Sequence, residues 1–238
     1  MPSVPAIVLC GGAGLRLRSL IGSVPKGMAE VAGRPFLEVL LQQLRRYGFE
    51  RVILAVGYQK EVIQQYFGKR ALGLELEYSP ESFPLGTGGA IRNAADLVET
   101  DSVLIMNGDS YTDADLGQFV AVHREAQADA SVILVPADGR GDCGSVRIDG
   151  NDKVVSFEEK KDRLEASDTW YVNAGIYMVS RPMIDEIPPG IEISLERELL
   201  PRWLLQGKCI QGFICMSGCL DIGTPERYRS ARDILVCS

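Results

Sequence analysis

The chain has 238 residues, 46% hydrophobic and 24% charged, the proportions of an ordinary globular protein with a substantial core. Its formal net charge of -7 and pI near 4.9 exclude a general attraction to nucleic acid or to an anionic membrane, so any anionic ligand must be captured by a local pocket. No apolar run approaches bilayer-spanning length, and the six scattered cysteines with the lone His123 do not form a zinc-finger pattern.

Short apolar, β-branched runs alternate with longer amphipathic ones along the chain. Residues 4–10, 51–57, 102–109 and 130–136 predict strands buried on both faces, as in a parallel sheet. Between them, 35–48, 60–68, 88–99 and 114–126 space their apolar residues as helices do. After residue 140 the pattern changes. Residues 145–159 predict a hairpin turning on Gly150 and Asn151, and 171–180 a further strand. Helical segments near 181–187 and 194–206, a strand at 208–216 and a last helix from Pro225 follow. The alternation predicts an α/β fold: a doubly wound, Rossmann-like, mixed but mostly parallel sheet with a small β insertion shaping the substrate site. With no Ser/Gly-rich linker, residues 1–238 read as a single domain. Without a secretory leader, the thiols read as reduced and the protein as cytoplasmic.

The stretch "LCGGAGLRLRSLIGSVPKGM" (9–28) sets Gly11, Gly12 and Gly14 directly after the first strand and follows them with Arg16, Arg18 and Lys26. Glycines let backbone N–H groups approach a ligand, and the cations supply charged donors, a combination suited to phosphate. Two familiar phosphate motifs do not fit. The third glycine of the dinucleotide fingerprint is replaced by Leu17, and the second strand ends in Val-Gly-Tyr without an acidic residue for ribose. The P-loop order fails because Lys26 is followed by Gly27 and Met28.

The segments "GGAGLRL" (11–17), "PKG" (25–27), "PLGTGGA" (84–90), "NGDS" (107–110), "FEEK" (157–160), "NAGIY" (173–177), "SLERELLP" (194–201) and "DIGTPERY" (221–228) together resemble the sugar nucleotidyltransferases, or sugar-1-phosphate nucleotide pyrophosphorylases. Within that family "LRSLIGSVPK", "VAGRPFLE" and "PLGTGGAIRNA" are most similar to the D-glycero-α-D-manno-heptose 1-phosphate guanylyltransferases. The resemblance implies a nucleotide-diphospho-sugar transferase fold. It also implies two substrate partners, a nucleoside triphosphate, expected to be GTP, and a sugar 1-phosphate, expected to be the heptose. They would give a nucleotide-sugar for cell-surface polysaccharide synthesis, with release of pyrophosphate. No nucleic acid or membrane partner is implied, and a homo-oligomer is compatible with the chain.

The nucleophile of such a reaction is already anionic, so a chain with one histidine needs no general base; the barrier lies in bringing two polyanions together. The resemblance implies catalytic roles for Arg16 on the departing phosphates, Lys26 near the reacting centre and Asp109. It places the nucleotide on Leu9, Gly11, Gly12, Gly14, Arg16 and Lys26 and on Gly86, Thr87, Gly88 and Gly89, whose lack of side chains suits a flat ring. The sugar phosphate falls to Gly144, Glu159, Lys160, Asn173 and Glu196. Mg²⁺ is the implied cofactor, with Asp109 and Asp221 as ligands at two strand ends. The plainer alternatives are that Thr87 caps a helix and that both aspartates cap the turns after them.

Four positions depart from the family pattern: Leu15 for Thr, Gly27 and Lys161 for Pro, and Cys143 for an aromatic. None removes a cation or a metal-binding carboxylate. Rival readings are a mannose-1-phosphate guanylyltransferase, a uridylyl- or thymidylyltransferase, and a catalytically silent nucleotide-sugar sensor. Retention of Arg16, Lys26, Asp109 and Asp221 together argues against the last.

Overall fold

The computed structural model describes residues 4–137, 145–158 and 170–236. The first part of the chain forms β1 (Ala6–Leu9), α1 (Arg18–Ile21), β2 (Glu30–Val31), β3 (Arg34–Pro35), α2 (Phe36–Arg46), β4 (Arg51–Val56), α3 (Lys60–Phe67), β5 (Arg70–Ala71) and β6 (Leu74–Pro80). There follow α4 (Gly86–Ala94), β7 (Ser102–Asn107), β8 (Ser110–Tyr111), α5 (Leu116–Glu125), β9 (Ala130–Pro136), β10 (Ser145–Ile148), β11 (Val154–Glu158) and β12 (Tyr171–Ser180). The chain continues through α6 (Arg181–Asp185), a π-helical turn (Leu195–Leu199) running into α7 (Leu200–Leu205), β13 (Ile210–Ile214), β14 (Leu220–Asp221) and α8 (Pro225–Val236).

The main sheet runs β11-β10-β12-β7-β1-β4-β6-β5, with β9 bridging β12 and β13. Its centre, β7-β1-β4-β6, is parallel throughout. Alternate residues of a strand face opposite sides of the sheet. Val8, Leu54 and Met106 therefore join one core with Leu40, Leu41 and Leu44 of α2 and Phe119 of α5. Ile7, Ile53 and Ile105 join the other with Ile91 of α4, Ile184 of α6 and Trp203 of α7. Both faces are covered, which is the doubly wound, mixed α/β arrangement expected, and it explains why the central strands read as unbroken apolar runs.

Three features differ from the sequence reading. β6 carries Glu75 and Glu77 on a partly exposed strand near the sheet edge, so its pattern does not read as a doubly buried run. β9 leaves the parallel set: it lies antiparallel to β12 and parallel to β13. The helix expected at 194–206 opens with a π turn, because the Ser194 carbonyl accepts from both Glu198 N (3.2 Å) and Leu199 N (3.1 Å). No helix among the described residues is long and apolar enough to cross a membrane.

The path of β12 positions the site. Its first residues pair with β10 and β9, its later ones with β7 and β9, and the register with β9 shifts between Asn173 and Tyr177. Gly175 sits in that interruption at φ 75°, where a Cβ would come within 2.8 Å of Asn107 Nδ2. Only glycine lets β12 pass the end of β7 so closely.

Candidate active site

At the carboxyl ends of the central strands lies a cleft of about 910 Å³, lined by residues 9–16, 26–27, 57–58, 81–87 and 107–109 with Ala90, Glu192 and Gly223. The strand ends cross tightly to form its floor. Gly108 N donates to the Leu9 carbonyl (2.9 Å), Cys10 N to Ala55 (2.9 Å) and Tyr58 N to Gly11 (3.0 Å). A Cβ on Gly57 would lie 2.9 Å from the Gly11 oxygen, and one on Gly108 2.5 Å from the Leu9 oxygen, so both glycines are required by backbone approach. Cys10 lies beneath the floor with its thiol pushed up to about 12 by burial, which keeps it protonated and inert.

The glycine loop turns at Gly14 (φ 59°), which packs against Lys26, while Lys26 N reaches the Gly12 carbonyl (3.5 Å). The two cationic stretches of the loop are thereby brought to one wall. Arg16 is exposed and lines the cleft; Arg18 is exposed and does not. Lys26 Nζ forms an ion pair with Asp109 Oδ2, the two side chains being 16% and 34% exposed. A half-buried pair of this kind leaves neither charge bare.

Asp221 reaches the same corner by strand pairing. β8 and β14 place Asp221 opposite Ser110, and Ile222 N donates to the Asp109 carbonyl (2.9 Å). Asp221 Oδ1 accepts from Gly223 N (2.7 Å) and Oδ2 from Arg227 Nη1 (2.6 Å), so this aspartate does hold the turn that follows it. Among the described residues, Asp109 Oδ1 accepts only a 3.1 Å bond, from the neighbouring Ser110 hydroxyl. No group of three or more potential metal-binding side chains occurs among the described residues. Two carboxylates beside the glycine loop suit a hard divalent cation such as Mg²⁺, which takes oxygen ligands and keeps part of its water shell.

A second polar cluster adjoins the cleft. The Thr87 hydroxyl donates to Glu196 Oε2 (2.6 Å) and accepts from Leu195 N (2.8 Å), so it ties α4 to the π turn rather than capping its own helix. Glu196 Oε1 accepts from the Tyr177 hydroxyl (3.1 Å) and, more distantly, from Asn107 Nδ2 (3.5 Å). Tyr177 accepts in turn from Asn173 Nδ2 (2.6 Å). Burial and the adjacent Glu196 raise the tyrosine hydroxyl well above its ordinary value, so it remains a donor. Asn107 Oδ1 is buried and has no partner among the described residues, an acceptor available to a ligand.

The expected residues are thus sorted by position. Leu9, Gly11, Gly12, Gly14, Arg16, Lys26, Gly86, Thr87 and Asp109 line the cleft, and Asn173 and Glu196 meet through Tyr177. Gly88 and Gly89 do not line it. Their N–H groups donate to the Ile193 carbonyl (2.9 and 3.2 Å), and a Cβ on either would strike the 191–199 segment, so their bareness serves packing and not a flat ring. Gly144, Glu159 and Lys160 lie outside the described residues. The sequence reading missed Glu81, Asn107 and Tyr177. Asn107 and Tyr177 flank recognised motif residues, whereas Glu81 is a single acid before "PLGTGGA" with no spacing signal.

A family model described as "Nucleotidyl transferase" matches residues 5–236. The chain belongs to the nucleotidyl transferase family. It is 43% identical over 235 residues to the mannose-1-phosphate guanylyltransferase of Mycobacterium tuberculosis, covering 98% of this chain but 65% of that longer protein. With the D-glycero-alpha-D-manno-heptose 1-phosphate guanylyltransferase of Aneurinibacillus thermoaerophilus it shares 36% identity over 227 residues, 95% of this chain and 96% of the other. The crystal structure of HddC from Yersinia pseudotuberculosis complexed with GMP-PN superposes with a TM-score of 0.83 at 30% identity, over 98% of this chain and 99% of that one.

Proposed function

We propose that this nucleotidyltransferase moves a guanylyl group from GTP to a manno-configured sugar 1-phosphate, releasing pyrophosphate. The observation that carries this reading is the convergence of Lys26, Asp109 and Asp221 on one corner of the cleft, with the glycine loop on one side and the Thr87–Glu196–Tyr177–Asn173 chain on the other. An oxygen of the sugar phosphate attacks the α-phosphorus, a new P–O bond forms, and the bond to the β-phosphate oxygen breaks in line with it. Arg16 receives charge growing on the departing phosphates, and Lys26 offsets charge at the reacting centre. Asp109 and Asp221 would hold Mg²⁺, which when bound neutralises phosphate oxygens. Glu196 and Asn173 accept and donate to sugar hydroxyls, in an orientation fixed by Tyr177.

The guanylyl assignment is supported by the names of the relatives. Of the two sugars, mannose 1-phosphate is favoured by the higher identity, in place of the heptose expected from the motifs. The heptose phosphate is the second reading, supported by the near-equal lengths of this chain and the Aneurinibacillus enzyme. Four nucleoside triphosphates crossed with mannose, glucose and D-glycero-α-D-manno-heptose 1-phosphates, read by pyrophosphate release, test the reading. GTP with a manno-configured phosphate is expected to give the highest kcat/KM. Preference for a pyrimidine triphosphate or for glucose 1-phosphate would overturn it.

A further inference from the structure

We propose that Arg227 is a positioning residue of the two-carboxylate corner: it orients Asp221 and offsets its charge, which holds down the corner's affinity for a divalent cation while no nucleotide is bound. This rests on the reading of Asp109 and Asp221 as the residues that would hold Mg²⁺. Arg227 lies in the first turn of α8, two residues after Pro225. A cation there is opposed by the partial positive charge of the helix N-terminus, so helix stability does not explain it. Its guanidinium instead reaches the end of β14, where Nη1 donates to Asp221 Oδ2 (2.6 Å), the two side chains being 27% and 18% exposed. The other oxygen, Oδ1, accepts from Gly223 N (2.7 Å). One bond on each oxygen fixes the plane of the carboxylate and leaves each a lone pair for a further partner.

Lys26 Nζ pairs with Asp109, and a Cβ on Gly223 would lie 3.6 Å from that same Nζ, so Lys26 stands beside the turn that Asp221 closes. The two carboxylates thus face two cations, Lys26 from the glycine loop and Arg227 from α8. A divalent cation entering between the carboxylates meets both positive charges at short range, where they are least screened. The two cations differ in what releases them. Lys26 lines the cleft and can exchange Asp109 for a phosphate oxygen, whereas Arg227 does not line it and stays on Asp221. A bound triphosphate supplies the negative charge that the free corner lacks, and Arg227 sets how much of it is needed.

The test is Mn²⁺ binding to the full, nucleotide-free chain, read by electron paramagnetic resonance of the free ion, in wild type, Arg227→Gln and Arg227→Lys. Both replacements are good helix formers, and Gln keeps a donor for Asp221 while removing the charge. Arg227→Gln is expected to bind Mn²⁺ about tenfold more tightly than wild type, and Arg227→Lys within about twofold of wild type. Lost packing alone weakens or spares a metal site and does not tighten it, so a gain reports the charge. That gain should disappear in the double variant Arg227→Gln with Asp221→Asn. Unchanged or weaker binding by Arg227→Gln would overturn the proposal, as would equal tightening by Arg227→Lys, or a gain that persists without the Asp221 carboxylate. If Asp109→Asn and Asp221→Asn each leave Mn²⁺ binding unchanged, the metal reading of the corner fails and this proposal with it. If they weaken it while Arg227→Gln binds as wild type does, this proposal alone fails.

Discussion

The two ends of the site are built by different means. The end proposed for the nucleotide is made of backbone: strand ends crossing at Leu9, Gly11, Gly57 and Gly108, and a loop whose charged groups lie within twenty residues of one another. The other end is made of side chains from distant segments, as in the Thr87–Glu196 bond, which joins residues 109 apart. Backbone N–H groups recognise phosphate whatever the nucleotide's partner, whereas hydroxyl geometry must be matched by side chains that can be exchanged singly. The first end is therefore fixed by fold and the second by a few substitutable contacts, and substitutions should separate them.

The largest effect is expected where both ends meet. Asp109→Asn removes a proposed metal ligand and the partner of Lys26, and should lower kcat at least about 1000-fold, about 4 kcal/mol, with unchanged circular dichroism. Activity near wild type at saturating Mg²⁺ would break the assignment. Next come Lys26→Ala and Arg16→Ala, each expected to slow nucleotidyl transfer at least about tenfold with any sugar phosphate. Arg18→Ala, outside the cleft, should fall by less than about twofold. Equal losses at Arg16 and Arg18 would mean that proximity to the loop, not position in the cleft, sets the effect.

The same division explains what the sequence disclosed. The central strands, the flanking helices and the glycine loop are consecutive patterns, each legible in its own window, and they locate Arg16, Lys26 and Asp109 by the strand ends they follow. The pairing of β8 with β14 that brings Asp221 to Asp109 is two residues long and has no periodicity to read. Tyr177 faces the core through its ring and the site through its hydroxyl, and in sequence it is one more apolar residue of "NAGIYMV". Gly88 and Gly89 mislead for the opposite reason: a glycine run looks like ligand approach, and here it makes room for the Leu199 side chain and the Ile191 and Ile193 carbonyls.

Tyr177→Phe sharpens the comparison at the sugar end. It removes one oxygen, which takes away the acceptor of Asn173 Nδ2 and leaves Glu196 Oε1 with the longer bond from Asn107 Nδ2 (3.5 Å). The KM for sugar 1-phosphate should rise by about five- to tenfold and that for GTP by less than about twofold, with a stability loss of about 1–3 kcal/mol in urea unfolding. A uniform rise in both KM values would show that the two ends are not independently built.

The smallest effect at neutral pH is expected from the scaffold the ends share. His123 on α5 is buried, with Nδ1 2.8 Å from the Ser131 hydroxyl on β9, and burial, aided by Arg124, lowers it from 6.5 to about 4. In the unfolded chain this group takes up a proton near pH 6.5; in the native protein it does so only near pH 4. Between those values the unfolded state binds more protons, so its contribution to stability is complete above pH 6.5 and is lost as pH falls toward 4, by about 3 kcal/mol at the limit. His123→Asn keeps a hydrogen-bonding group near Ser131 and removes the titration. Its urea-unfolding free energy, subtracted from that of wild type at each pH, should be flat above pH 6.5 and slope between 6.5 and 4. At pH 7.5 neither KM should change, because among the described residues β9 meets the site through β12. If the KM for sugar phosphate moved while that for GTP did not, the sugar end would extend through β12 into this scaffold, and its boundary would have to be drawn at α5.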